Sequence, residues 1–440
     1  MITQKDIQMR RALPPNFSRR HFIQIGVAGS AMAVGGGLWL ARNSDATAAN
    51  LFSNVLKIPP LLEGSDQSGR KHFDLIVQDG HTEFFEGTST PTIGVNGPFL
   101  GPTLKFRAGD HVAIDVANRL KFDTTLHWHG LHVPAKADGG PHQVIRPGTT
   151  WSPDFLVKQK AALFWYHSHL LGKTGAQVNQ GLAGLILVDD EESNALGLPS
   201  EYGVDDIPLI IQDRRFRRDG AFAYLTSMHD QMLSFKGDTV LVNGTAHPHV
   251  NLRRQRIRLR LLNGSNARIY NLGFSDRRSF MQIASDGSLL ERSVHRKRLR
   301  LAPGERAEIL VDMSTNSRVV LMSYPDVTRA SGMMSGMMRR MVGNDETFPI
   351  LELRADRIEA SDQTLAARLA EIPHWEPGQA NRTRRFELNM PMMGGMMGMR
   401  RGRGSMMGGG HMMGRNRSMD ELMGINGRSM DKNRIDEHIE

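Results

Sequence analysis

What most restricts this chain is a two-residue hydrophobic period broken by turn residues. Leu104 and Phe106 alternate with polar neighbours, Gly109-Asp110 turns the chain, and Val112, Ile114 and Val116 alternate again. Side chains two apart on a strand share a face, so this pattern describes half-buried strands. No amphipathic helical stretch of any length interrupts the run from Phe73 to Asp190, and Gly181-Leu182-Ala183-Gly184-Leu185-Ile186-Leu187-Val188 reads as a closing buried strand. The pattern predicts a β-sandwich over residues 55–190. After a charged connector (Asp189 to Glu192), a second all-β segment covers 200–356. Its markers are Ile207 to Gln212, the turn Asn243-Gly244, and a strand after Pro303-Gly304 in which Ala307, Ile309 and Val311 alternate with Glu308, Leu310 and Asp312. The fold class is therefore all-β, two copies of one architecture in tandem.

Composition narrows the chemistry. The 440 residues include no Cys and 26 Met. Without Cys there are no disulfides, thiolate nucleophiles, Fe–S clusters or Cys-based zinc sites in these residues. The net charge of +9 raises the question of nucleic acid. In Arg256-Ile257-Arg258-Leu259-Arg260-Leu261, however, the period of two sends Ile257, Leu259 and Leu261 inward and predicts the guanidinium groups in solvent. No aromatic interleaving accompanies them, so no nucleic-acid partner is expected.

The first 48 residues read as an export signal. Ser18-Arg19-Arg20-His21-Phe22-Ile23-Gln24 looks like the twin-arginine signature, and a mildly apolar run from Ile23 to Leu40 follows. Ala46-Thr47-Ala48 supplies small residues of the A-x-A type, which predicts cleavage after Ala48. Gly26, Gly29, Gly35, Gly36 and Gly37 dilute the run, so no stable membrane anchor is expected once the signal is removed. The expected destination is the periplasm, through the twin-arginine export machinery.

Two His-x-His pairs carry the chemistry: His127-Trp128-His129 and His167-Ser168-His169. On a strand each pair offers two imidazoles side by side, and two such strands supply four neutral nitrogen donors. Imidazole suits Cu, Zn, Fe and Ni alike, so the ligand type leaves the metal open. A zinc hydrolase is compatible with these ligands, but no Glu or Asp adjoins either pair as an obvious base. A third pair, His247-Pro248-His249, lies between a turn and a strand, where Pro limits ladder pairing; it reads as a surface feature. In 357–440 the character changes. Met390, Met392, Met393, Met396, Met397 and Met399 lead a Met/Gly/Arg tract, and Met333, Met334, Met337 and Met338 form a smaller cluster. Thioether sulfur is soft and uncharged and prefers Cu(I) or Ag(I). Arg400, Arg401 and Arg403 would repel a cation, and no acidic residue lies between Met390 and Met413.

Leu126-His127-Trp128-His129-Gly130-Leu131-His132 and Phe164-Trp165-Tyr166-His167-Ser168-His169 resemble the first two copper-binding signatures of the multicopper oxidases. Gly97-Pro98, Gly101-Pro102-Thr103-Leu104, Asp138-Gly139-Gly140-Pro141, Gly172-Lys173-Thr174-Gly175, Gly181-Leu182-Ala183-Gly184 and Ala284-Ser285-Asp286-Gly287 also fit. Within the family the chain is most similar to periplasmic copper-efflux oxidases, which share the twin-arginine signal and a Met-rich insert. The resemblance implies tandem cupredoxin-like Greek-key β-sandwiches and copper as cofactor. It further implies that His127 is a type 2 copper ligand, that His129, His167 and His169 are type 3 ligands where O2 is reduced, and that Asp138 is an acid managing protons. The methionines would gather Cu(I) near the blue site. The substrates implied are Cu(I) or phenols, with O2 reduced to water.

The family's third domain supplies a His-Pro-x-His-x-His segment and a His-Cys-His segment, and neither occurs here. His374, His411 and His438 are isolated, and Ile425-Asn426-Gly427 resembles that domain's opening strand shortly before Glu440. The expectation is thus a chain truncated before its third domain, lacking the type 1 site and half of the trinuclear ligands. Three readings follow: a truncated oxidase, an oxidase completed by a separate chain, and a periplasmic copper-sequestering protein without turnover. A scaffold of the cell-division kind, whose relatives have lost their copper ligands, is argued against by the four retained His.

Overall fold

Strands account for nearly all the regular structure, and they assort into two β-sandwiches as the hydrophobic period predicts. The computed structural model describes residues 51–314, 318–326, 346–355, 358–360, 365–389, 424–426 and 428–429. The elements below belong to one unit, Asn54–Glu440. Among the described residues no helix is long and apolar enough to cross a membrane.

In the first sandwich, one sheet runs in the order Asp154–Leu156, His111–Asn118, Arg70–Phe85, Ser65–Gln67. The other runs Leu61–Leu62, Thr103–Arg107, Ala183–Asp189, Ala162–His167, His127–His129. Phe73, Leu75, Val112, Ile114 and Val116 meet Leu104, Phe106, Trp128, Phe164 and Tyr166 between them. The first sheet keeps one wet face, so His111–Asn118 alternates strictly between buried and half-buried. All six residues of Ala162–His167 are buried instead. The other face of that strand meets the second sandwich, where Leu163, Trp165, Leu185 and Leu187 pack with Ile210 and Leu262. A sheet covered on both faces yields continuous apolar strands rather than alternation.

The second sandwich has a seven-stranded sheet with Asp206–Arg214, Arg256–Asn263 and Arg306–Asp312 at its centre, and a six-stranded sheet through Pro248–Asn251, Phe348–Arg354, Arg318–Ser323 and Tyr270–Phe274. The predicted turn is present: Asn243 and Gly244 both take positive φ, and Val242 pairs with Thr245 across them.

Four details depart from the sequence reading. Asn54–Val55 pairs in parallel with Pro248–His249, so the segment at residue 55 joins the second sandwich rather than the first. A short helix, Thr174–Gln180, breaks the all-strand text and ends on Gly181 at φ 119°, where a Cβ would strike the Phe99 ring. Arg258 and Arg260 are not in solvent; they are 5% and 4% exposed. Their strand is central and covered on both faces, so the guanidinium groups are paired inside. Arg260 is bidentate to Asp206 (2.6 and 2.7 Å), and Glu308 receives Arg258 (2.5 and 2.8 Å) and Arg260 (3.0 Å). Finally, His249 is buried, because Pro248–Asn251 is a paired strand; only His247 of that pair fits the surface reading.

Candidate metal centre

The strand His127–His129 lies antiparallel to Ala162–His167, with His127 opposite His167, Trp128 opposite Tyr166 and His129 opposite Trp165. This register puts His127, His129 and His167 on one face and sends Trp128 and Tyr166 into the core. Tyr166 fixes the strand. Its hydroxyl donates to the Pro102 carbonyl (2.8 Å), and its ring fills the space left by Gly101 and Gly184. A Cβ on Gly184 would lie 2.2 Å from the ring, so no larger residue fits there.

His169 follows the strand, and its backbone N–H donates to Thr125 Oγ1 (2.7 Å). Gln177, on the short helix, joins the two His segments. Its Oε1 accepts from Ser168 Oγ (2.5 Å) and Thr124 Oγ1 (2.8 Å), and its Nε2 donates to the Asp123 carbonyl (2.9 Å). Sequence reasoning missed Gln177, Thr124 and Thr125, because no spacing links them to the histidines.

All four sequence-predicted imidazoles come together. Ring centroids are 5.8 Å apart for His127 and His129, 5.4 Å for His127 and His167, 5.1 Å for His127 and His169, 5.3 Å for His129 and His167, and 5.9 Å for His167 and His169. Ligand atoms of His127, His129 and His167 all lie within 4.8 Å of one another. A carbonyl can only accept, so the Nδ1–H of His127 donates to the Asp138 carbonyl (2.9 Å) and that of His167 to the Ser168 carbonyl (2.7 Å). Each ring is thereby locked in the tautomer that carries its lone pair on Nε2. His129 Nδ1 stands 3.1 Å from His167 Nε2 and donates to it. Two nitrogens bound at about 2.0 Å to one ion are separated by roughly 3 Å, so this spacing is what two rings sharing a metal ion would show.

Asp138 lies beside the hollow, where the sequence reading put it. Its backbone carbonyl accepts from both His127 and the Trp128 N–H, and its Oδ1 is 3.3 Å from His127 Nδ1. The following Gly139 (φ 73°) is required, since a Cβ would lie 1.8 Å from the Leu126 carbonyl oxygen.

Burial, and then the charge of Arg306, holds the His129 imidazole down to about 4; burial also holds His167 well below the ordinary imidazole range. Arg306 belongs to the second sandwich, pairs with Asp286 (2.7 Å), and donates to the carbonyls of Leu163 (3.2 Å) and Gly304 (3.0 Å). A Cβ on Gly304 would lie 3.5 Å from His129 Cε1, so this turn backs the ligand directly. The ring of Trp165 stacks on His167 at 4.0 Å. His374 is exposed beside Glu291 (3.5 Å), away from this group. The Met390–Met399 candidates, the Met333–Met338 cluster and the export signal lie outside the described residues.

Four clustered imidazoles, backed by an aromatic ring and free of thiolate, suit a metal ion in a nitrogen environment, and the ligand type leaves copper, zinc, iron and nickel open. Comparison with known proteins points to copper among these. The multicopper oxidase family model matches residues 76–193. A multicopper oxidase of Staphylococcus aureus is 45% identical over 262 residues, covering 59% of this chain and 58% of that protein. The cell division protein FtsP of Edwardsiella tarda is 40% identical over 365 residues, covering 81% of this chain and 73% of that protein. Among solved structures, the laccase-like multicopper oxidase CueO from the lignin-degrading bacterium Ochrobactrum sp. superimposes with a TM-score of 0.68 at 36% identity, covering 76% of this chain and 71% of that one. The two sandwiches are accordingly cupredoxin-like, and the chain belongs to the multicopper oxidase family.

Proposed function

We propose that this chain is the copper-binding part of a periplasmic copper-tolerance oxidase, exported through the twin-arginine machinery, that oxidises Cu(I) or phenols with O2 as acceptor. The observation that carries the reading is the 3.1 Å approach of His129 Nδ1 to His167 Nε2 within a ring of four imidazoles. Copper bound there supplies one-electron redox chemistry and a binding place for O2. The residues of the chain do the rest. His127 and His167 are held in one tautomer by backbone carbonyls, so the lone pair of each sits on Nε2, and the proton that His129 Nδ1 shares with His167 Nε2 would leave on metal binding. Trp165 and the Gly304 turn exclude water from behind His129 and His167. Asp138, half-exposed beside His127, is the group proposed to carry protons in from solvent. His127 is proposed as the type 2 ligand and His129, His167 and His169 as type 3 ligands. The Met390–Met399 tract is proposed to gather Cu(I).

These 440 residues contain no Cys. A type 1 thiolate and the remaining imidazoles must therefore come from outside them, and a separate partner chain is the proposed source. The test is copper loading of the purified chain, read by metal analysis and electron paramagnetic resonance, with phenol oxidation assayed alone and with a chain carrying His-Cys-His. Copper bound at the four histidines, with turnover only in the mixture, is the expected result. Copper bound without turnover in either case would favour the sequestering reading. The match to FtsP favours a copper-free cell-division scaffold as the second reading, and failure of the chain to bind copper at all would decide for it.

A further inference from the structure

A second group of metal-ligating side chains lies on the other sheet of the first sandwich, on its solvent face. His72 and Asp74 are two apart on the strand Arg70–Phe85, so both project outward while Phe73 and Leu75 enter the core. The neighbouring strand His111–Asn118 runs parallel to it, and its register sets Asp115 directly beside Asp74. His72 Nε2 is 3.3 Å from Asp74 Oδ1 and 3.4 Å from Asp115 Oδ2, and the three ligand atoms all lie within 4.8 Å of one another.

Like charges directly opposite across two strands repel. Among the described residues no Lys or Arg forms an ion pair with either carboxylate, and His72 is the partner of both. The adjacent charged groups on this face, Arg70 and His111, face Asp154 instead, at 3.8 and 3.9 Å. The pair thus presents two negative charges and one imidazole nitrogen around a point with no fixed cation. Spacing agrees with ligation: N and O donors at about 2.0–2.1 Å around a tetrahedral ion stand roughly 3.3–3.4 Å apart.

We propose that His72, Asp74 and Asp115 form a second metal site, separate from the four-His hollow, for a hard-to-borderline divalent cation of the Zn2+ class. One imidazole and two carboxylates match that class, and the group lacks the soft sulfur donors that select Cu(I). The fourth position opens to solvent, and the bound ion clamps two parallel strands of the outer sheet.

Zn2+ itself is the probe. Zn2+ uptake of the full chain is measured by equilibrium dialysis beside Asp74→Asn and Asp115→Asn, with thermal melting followed with and without Zn2+. Asp74 is 78% exposed, so its variant leaves the fold intact. The wild type is expected to take up one Zn2+ equivalent more than either variant at micromolar free metal, with affinity at that site at least about tenfold weaker in the variants. Zn2+ should raise the wild-type melting temperature more than that of either variant, and Cu(I) uptake should be equal in all three. Equal Zn2+ stoichiometry and equal melting shifts in wild type and variants would overturn the site.

Discussion

Changing Glu308 to Gln removes one negative charge from a buried set that is otherwise neutral. Arg258 and Arg260 carry two positive charges, and Glu308 and Asp206 carry two negative ones. Burial alone would raise the Glu308 carboxyl, but the Arg258 and Arg260 charges outweigh it and hold it below its ordinary value. In Glu308→Gln a guanidinium remains buried without a counter-charge, and Glu308 is only 1% exposed, so water cannot take its place. Breaking a buried pair in this way costs about 3–5 kcal/mol. If the second sandwich unfolds as its own unit, that lowers its melting temperature by roughly 6–20 °C. The control is Arg258→Met with Glu308→Leu, which leaves the bidentate Arg260–Asp206 pair and no odd charge; it should recover at least about 2 kcal/mol of the loss. Scanning calorimetry and far-UV circular dichroism are the assays. A single variant within about 1 kcal/mol of wild type, or a double variant no better than the single, would refute the charge argument.

Three further outcomes are expected. His167→Gln should weaken Cu2+ binding at least about tenfold by equilibrium dialysis while far-UV dichroism stays unchanged. Because His129 is held down to about 4 and His167 lies well below the ordinary range, both stay neutral on mild acidification. Protons then compete poorly for these ligands, and copper uptake should persist below the usual imidazole midpoint of about 6.5; half-loss at that pH would contradict the reading. Gly184→Ala should destabilise by about 3 kcal/mol in urea titration, because its methyl meets the Tyr166 ring; a neutral effect would mean that the ring is not fixed.

The period of two made the class of fold legible, and His-x-His spacing made the ligands legible, because both are local. The 127–129 and 162–167 strands are joined by register across more than thirty residues, and nothing in the sequence states that Trp165 faces His129. The burial of Arg258 and Arg260 was hidden for a related reason. Alternation assumes one wet face, and whether a face is wet depends on the sheet's neighbours. Gln177 and Arg306 reach the site from a helix and from the other sandwich, so neither belonged to a readable motif. His72, Asp74 and Asp115 form a group only because two strands run parallel there.

The strand Ala162–His167 has no wet side, and that has a bearing on which ions the hollow accepts. A one-residue slip would turn its whole buried pattern over, so folding itself fixes the face on which His167 stands, and through the strand pairing that of His127 and His129 beside it. An incoming ion meets a mould already cast rather than ligands that gather around it. Ions that demand more ligands or a different angle must deform the mould, which makes selectivity a property of the surrounding core as much as of the four rings.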